Sequence, residues 1–180
     1  WHICHVSAAQ TLGVIGWARS AGAHVSTEVT PHHLQCDDEL LARFDAAYRV
    51  NPPLRSPEDT AAMRRAVSEG VITIFASDHA PHRADEKDPP LAHACVGFSG
   101  LETAVGATFQ ALPAIPLATM IANFSSNVAA LLNVPGGTLT PGSPADITGL
   151  YLHRPWVVDP AGFHSKGRVT PFAGQTLSVK

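Results

Sequence analysis

The chain has 180 residues, 45% of them hydrophobic and 15% charged, with a formal net charge of −3. That size and mix describe an ordinary globular chain of one domain or parts of two. The acidic balance and the lack of a basic stripe argue against nucleic acid as a partner, and no apolar run approaches the roughly 20 residues of a membrane span.

The chain opens at Trp1 in a strand-like run and its only methionines are Met63 and Met120, so it reads as the C-terminal portion of a longer protein. Cys4, Cys36 and Cys95 are odd in number and lack metal-ligand spacing such as CxxC, as expected of thiols in a reducing cytoplasm. Residues 1–6 predict a strand. Ser7-Ala8-Ala9-Gln10 has the form of a capping box, and Leu12, Ile15 and Ala18 repeat at helical spacing up to a stop at Gly22. A second strand is predicted from Ala23 to Val29, ended by Thr30-Pro31 and the pair His32-His33. Asn51-Pro52-Pro53-Leu54-Arg55 predicts a rigid loop, because two prolines fix φ and remove donors. Ser56-Pro57-Glu58-Asp59 predicts a helix start, with Ala62, Met63, Ala66 and Val67 as its apolar face and Gly70 as its end. Ile72 to Ala76 follows as a short buried strand, carrying Asp78 and His79 at its tip before Pro81.

This strand-helix-strand order predicts α/β architecture with a parallel sheet. In such a sheet the C-terminal strand ends share one face, so His5, His32, His33, Asp78 and His79 are placed to converge. Residues 81–96 predict a charged loop, long enough for a lid, with residues 83–88 as solvated surface. A helix is predicted from Leu101 to Ala111, and two short ones follow Pro116. From Val134, proline and glycine break any helix, and Ala145–Thr148, Trp156–Val158 and the last residues suggest short strands. A domain boundary is therefore expected near 133, dividing 1–133 from a β module over 134–180.

Histidines and a carboxylate at strand ends suit a zinc-type site. Neutral imidazole binds borderline-soft cations, and a nearby carboxylate can bind or move protons. Each residue also has a plainer reading. His5 alone reads as a hydrogen-bonded core histidine, Cys4 as a structural thiol, Asp78 as a turn cap, and Asn51 and Arg55 as loop scaffolding. By themselves these residues are too few for a complete metal site.

Taken together, His2-Ile3-Cys4-His5-Val6-Ser7, Glu28 to Leu34, Asn51 to Arg55, Ser77 to His82, Gly100 to Ala104 and the later Ser165-Lys166-Gly167 and Thr170-Pro171-Phe172 resemble dihydroorotases of the bacterial longer-chain type, within the amidohydrolase superfamily. The resemblance implies strands six to eight of a (β/α)8 TIM-like barrel followed by part of a small β-sandwich domain. It implies reversible hydrolysis of dihydroorotate to N-carbamoyl-L-aspartate in pyrimidine synthesis, with one or two Zn2+ ions. By motif, His5 would be a metal ligand and Asp78 the proton shuttle and a possible ligand. Asn51, His82 and backbone groups at Val96 and Gly97 would hold the substrate. Val96-Gly97 follows Cys95, where the family has an aromatic residue with glycine, preceded by proline. The first-strand His-x-His, the bridging ligand and a fifth-strand histidine have no counterpart in these 180 residues.

Such a chain would bind a small-molecule substrate, with neither nucleic acid nor membrane as partner, and would form a homo-oligomer or pair with a transcarbamoylase. Two other readings stay open: a related cyclic amidase such as a hydantoinase or allantoinase, and a catalytically silent subunit. The 180 residues alone are expected to be inactive and poorly soluble, because three barrel strands cannot close.

Overall fold

A computed structural model describes residues Trp1 to Lys180 and shows a mixed α/β fold. Strands β1 (His2–Ile3), β2 (Ser26–Val29) and β3 (Ile74–Phe75) lie in the order β1-β2-β3. Both pairings are parallel, with His2 opposite Ser26 and Glu28 opposite Ile74. Hydrogen bonds extend the ladder past the strands, from Val6 N–H to Glu28 O at 2.9 Å and from Ala76 N–H to Val29 O at 3.1 Å. Parallel neighbours need crossovers, and helices α1 (Ala9–Ser20) and α3 (Pro57–Ser68) provide them. Between β2 and α3 the chain also forms the short helix α2 (Pro31–Gln35) and two 3-10 turns, at Asp38–Arg43 and Ala46–Tyr48.

Helix α3 follows its sequence signals closely. Ser56 Oγ accepts from the Asp59 N–H at 3.3 Å, Pro57 takes the first position, and Ala62, Met63, Ala66 and Val67 are buried. Helix α1 departs from its expected start. Its first residue is Ala9, and the Ser7–Gln10 capping box does not form. Instead the Asp59 carboxylate, reaching over from the first turn of α3, accepts from the Ala9 N–H at 2.7 Å. A carboxylate complements a helix N-terminus better than a neutral hydroxyl, and here tertiary packing supplies one. At the other end of α1, Arg19 donates to Val25 O at 3.0 Å and Val71 O at 3.1 Å, tying the helix to the segments that enter β2 and β3.

Val6, Val29, Leu34, Met63, Val67, Ile72 and Phe75 pack between the sheet and its helices, with Leu112 and Met120 closing that core. After β3 come α4 (Ala84–Lys87), a 3-10 turn at Leu101–Thr103 that runs into α5 (Ala104–Ala111), and the pair α6 (Leu117–Phe124) and α7 (Ser126–Leu132). No helix is long and apolar enough to cross a membrane.

The tail contains one antiparallel pair, β4 (Trp156–Val157) and β5 (Thr176–Leu177). Ala145–Thr148, expected as a strand, forms none; Ile147 is 71% exposed and the segment meets no partner edge to satisfy its backbone. Val158, Phe163, Phe172 and Leu177 share a second core with Tyr48, Leu54, Phe98 and Ala107. Gly106 permits this close approach, since a Cβ there would lie 2.9 Å from both Leu177 Cδ1 and Val179 O.

Candidate active site

Strand geometry ends abruptly at two residues. His5 and Asp78 adopt left-handed backbone conformations, with φ of 52° and 48°. For residues that carry a Cβ this costs about 1–3 kcal/mol and is sustained only where surrounding contacts over-determine it. The two side chains meet across the strand tips, with His5 Nε2 3.6 Å from Asp78 Oδ1. His32 joins them, its Nε2 3.8 Å from Asp78 Oδ2.

Glu28, the one ionisable residue in β2, underlies this group. Its Oε1 lies 2.8 Å from His5 Nδ1, and its Oε2 lies 2.9 Å from His2 Nε2. The His5 contact is short but poorly aligned, which leaves Nδ1 of His5 without a true hydrogen bond. Both ring nitrogens of His32 are also buried without a partner. Buried polar atoms are nearly always satisfied, so the unpartnered His32 Nε2, set with His5 Nε2 against the two oxygens of Asp78, belongs to a donor set that suits a divalent cation.

The convergence expected of the strand ends thus holds for His5, His32 and Asp78. His33 turns away, and its Nε2 lies 3.0 Å from Pro52 O while Nδ1 lies 2.7 Å from Thr30 Oγ1. Helix α2 separates the pair. Thr30 caps it by accepting from the His33 N–H at 3.3 Å, Pro31 starts it, and adjacent histidines then point in different directions. In sequence, His32 is only one of five strand-end residues expected to converge, and Glu28 stands only within the motif from Glu28 to Leu34. A carboxylate in a buried strand must be paired, which is the signal that singles out Glu28.

Burial shapes the titration of the cluster. Asp78 is raised above the ordinary carboxylate range by desolvation, an effect opposed by His5 and reinforced by Glu28. His32 is held well below its ordinary 6.5 by burial, then by His33 and His5, and is neutral at pH 7. Burial takes His33 down to about 4, against the carbonyl of Pro52. The Cys4 thiol is raised by desolvation and by Glu28.

Beyond the tip, His79 Nδ1 accepts from the N–H groups of Gly100 at 3.2 Å and Leu101 at 3.1 Å, which assigns the proton of the neutral ring to Nε2. His82 Nε2 lies 2.8 Å from Val96 O and its Nδ1 3.4 Å from Glu86 Oε2. Val96 therefore meets His82 through its carbonyl, so a residue of different side chain serves equally well. Gly97 has φ of +105°, and a Cβ there would lie 2.5 Å from Ala80 Cβ. Its N–H donates to Arg49 O at 2.8 Å, and Asn51 and Val96 line one cavity of about 420 Å³. The structure thereby brings Asn51, His82, Val96 and Gly97 into one neighbourhood. Lys87 corrects the reading of residues 83–88 as solvated surface. It is buried and donates to Cys95 O at 2.7 Å and Gly97 O at 2.8 Å, because its ammonium satisfies carbonyls that the loop would otherwise leave unpaired.

No family model matches the chain. It is 44% identical over 179 residues, 98% of its length, to a dihydroorotase of Pelotomaculum thermopropionicum, covering 42% of that protein. A dihydroorotase of Syntrophus aciditrophicus is 40% identical over 99% of the chain, again with 42% of the relative covered. Among solved structures, the L-hydantoinase (dihydropyrimidinase) of Arthrobacter aurescens matches with a TM-score of 0.90 and 28% identity, over 99% of this chain and 41% of that one. The dihydropyrimidinase of Brevibacillus agri matches with a TM-score of 0.90 and 25% identity, over the same shares of the two chains. By sequence the chain is similar to dihydroorotases over 98% to 99% of its residues, and it spans about two-fifths of the length of the proteins it matches.

Proposed function

We propose that the chain is the part of a dihydroorotase that carries the last three strands of a (β/α)8 barrel and part of the flanking β-sandwich, with the boundary near residue 133. The meeting of His5 and Asp78 at 3.6 Å, across the C-terminal end of β2 from the tips of the two outer parallel strands, carries this reading. Similarity to dihydroorotases over 98% to 99% of the chain supports dihydroorotate as the substrate.

In this reading His5 holds a divalent cation, one or two Zn2+ in the complete protein, with Asp78 beside it. When bound, the cation polarises a carbonyl and makes water acidic near neutral pH. The chain's own residues supply the rest. As water oxygen bonds to the ring carbonyl carbon of dihydroorotate, Asp78 takes the water proton. When the ring C–N bond breaks, Asp78 returns that proton to the nitrogen, giving N-carbamoyl-L-aspartate. Desolvation raises its pKa above the ordinary value, the direction that eases return of the proton to nitrogen. Glu28 steadies the His5 ring from behind, as carboxylates do for metal-ligating histidines. In this reading Asn51, His82 and the backbone at Val96 and Gly97 hold the substrate's carboxylate, with His82 Nε2 exchanging Val96 O and the Gly97 N–H exchanging Arg49 O for the ligand.

Hydantoinase activity is the second reading, favoured by the fold of the solved relatives. Assaying the full-length protein on dihydroorotate, hydantoin and allantoin separates the two. Turnover of dihydroorotate is expected, and turnover of hydantoin alone would replace the substrate assignment. A homo-oligomer or a transcarbamoylase partner belongs to the same proposal, with a small molecule as the only ligand class.

A further inference from the structure

Register creates a second constellation next to the first. His2 pairs with Ser26 and Ile3 with Thr27, so the next step along both strands brings Cys4 opposite Glu28. Residues two apart on a strand share a face, which puts His2 and Cys4 on the same side as Ser26 and Glu28. His2, Cys4 and Glu28 each present one donor atom within 4.8 Å of the other two. Imidazole, thiolate and carboxylate together suit a borderline or soft divalent cation. His2 is already posed as a ligand, because Ser26 Oγ lies 2.8 Å from its Nδ1 while Nε2 faces Glu28 Oε2 at 2.9 Å. Three protein ligands leave a fourth coordination position for water.

We propose that His2, Cys4 and Glu28 bind one soft divalent cation, at a site that uses none of the ligands of the His5–Asp78 pair and is joined to it through Glu28. The cation displaces the Cys4 thiol proton into solvent and binds His2 as the neutral tautomer with its ring proton on Nδ1, against Ser26 Oγ, with no change of oxidation state. The second oxygen of Glu28 lies 2.8 Å from His5 Nδ1, so occupancy draws on the carboxylate that steadies His5 and lowers activity.

The test is a cadmium titration of metal-stripped protein made from its full reading frame, read by the near-ultraviolet thiolate-to-cadmium charge-transfer band. A saturable band is expected. Cys4→Ser should abolish it, His2→Gln should weaken binding at least about tenfold, and Cys95→Ser and Asp78→Asn should leave it in place. A band that survives Cys4→Ser, depends on Asp78, or never forms in the wild type overturns the site. A measurement that needs no variant uses alkylation mapped by mass spectrometry. Cadmium should protect Cys4, and equal labelling with and without cadmium refutes the proposal. Neither readout depends on turnover, so failure here leaves the dihydroorotase reading standing, and failure of that reading leaves this one.

Discussion

At the scale of single residues, the site rests on a few side chains held in costly conformations. Asp78 combines a left-handed backbone, partial burial and two histidines on its carboxylate oxygens. Replacing it by asparagine keeps the shape and removes the proton acceptor. Under the proposed activity, turnover of dihydroorotate by the complete protein should fall about 10²- to 10⁴-fold, with an unchanged circular dichroism spectrum. Near-wild-type turnover by Asp78→Asn would remove Asp78 from the mechanism. His33 gives a prediction about stability instead. Its pKa is about 4 in the fold against about 6.5 in an unfolded chain, so between those values the unfolded state binds more protons. Stability from this group is complete above about pH 6.5 and is lost as pH falls towards 4, by at most about 3 kcal/mol at 1.36 kcal/mol per pH unit. Urea unfolding from pH 7 to pH 4 should show this slope, and His33→Gln should flatten it.

Among the elements, local signals succeed where the helix or loop answers to its own residues. Ser56, Pro57 and the apolar spacing of α3 are read directly because cap, first turn and buried face all lie within twelve residues. The start of α1 is not legible in this way, since its N-terminal donor is taken by Asp59 fifty residues later. The loop after β3 is a similar case. Lys87 looks like one charge in a solvated run, yet the carbonyls of Cys95 and Gly97 draw it inside. Gly97 packs closely against Ala80, just beyond the strand tip. Gly97→Ala combines a φ of +105° with a Cβ 2.5 Å from that of Ala80, so the loop must shift. A loss of more than about 1 kcal/mol in stability is expected, together with a raised KM and a smaller change in kcat. A variant with unaltered KM would separate this loop from substrate binding.

For the molecule as a whole, two cores meet near Phe98. Its ring lies edge-on to His32 at 5.1 Å and to Phe172 at 6.0 Å, joining the candidate site to the tail. Phe98→Ala should cost about 3–5 kcal/mol, because a fully buried aromatic leaves a cavity that a dense core cannot refill. Thermal unfolding measures it. The three-stranded sheet is open on the outer sides of β1 and β3, while Trp1 and Trp17 stand 92% and 71% exposed. Residues 1–180 produced alone are therefore expected to aggregate and to lack activity on dihydroorotate. Soluble, active material from this segment would contradict the barrel reading.

Sequence by itself determined the parallel α/β order and put His5 and Asp78 at strand tips, and the motifs shared with dihydroorotases are what proposed them as a pair. Those features depend on local patterns: apolar runs that end in polar residues, and helix starts written in adjacent positions. Tertiary structure alone decided that His32 rather than His33 faces Asp78, that Glu28 connects His5 to His2, and that Asp59 caps a distant helix. Strand register and helix phase set those contacts, and both emerge only when separate segments pack. The same register places Cys4 opposite Glu28, a pairing that spacing along the chain does not reveal.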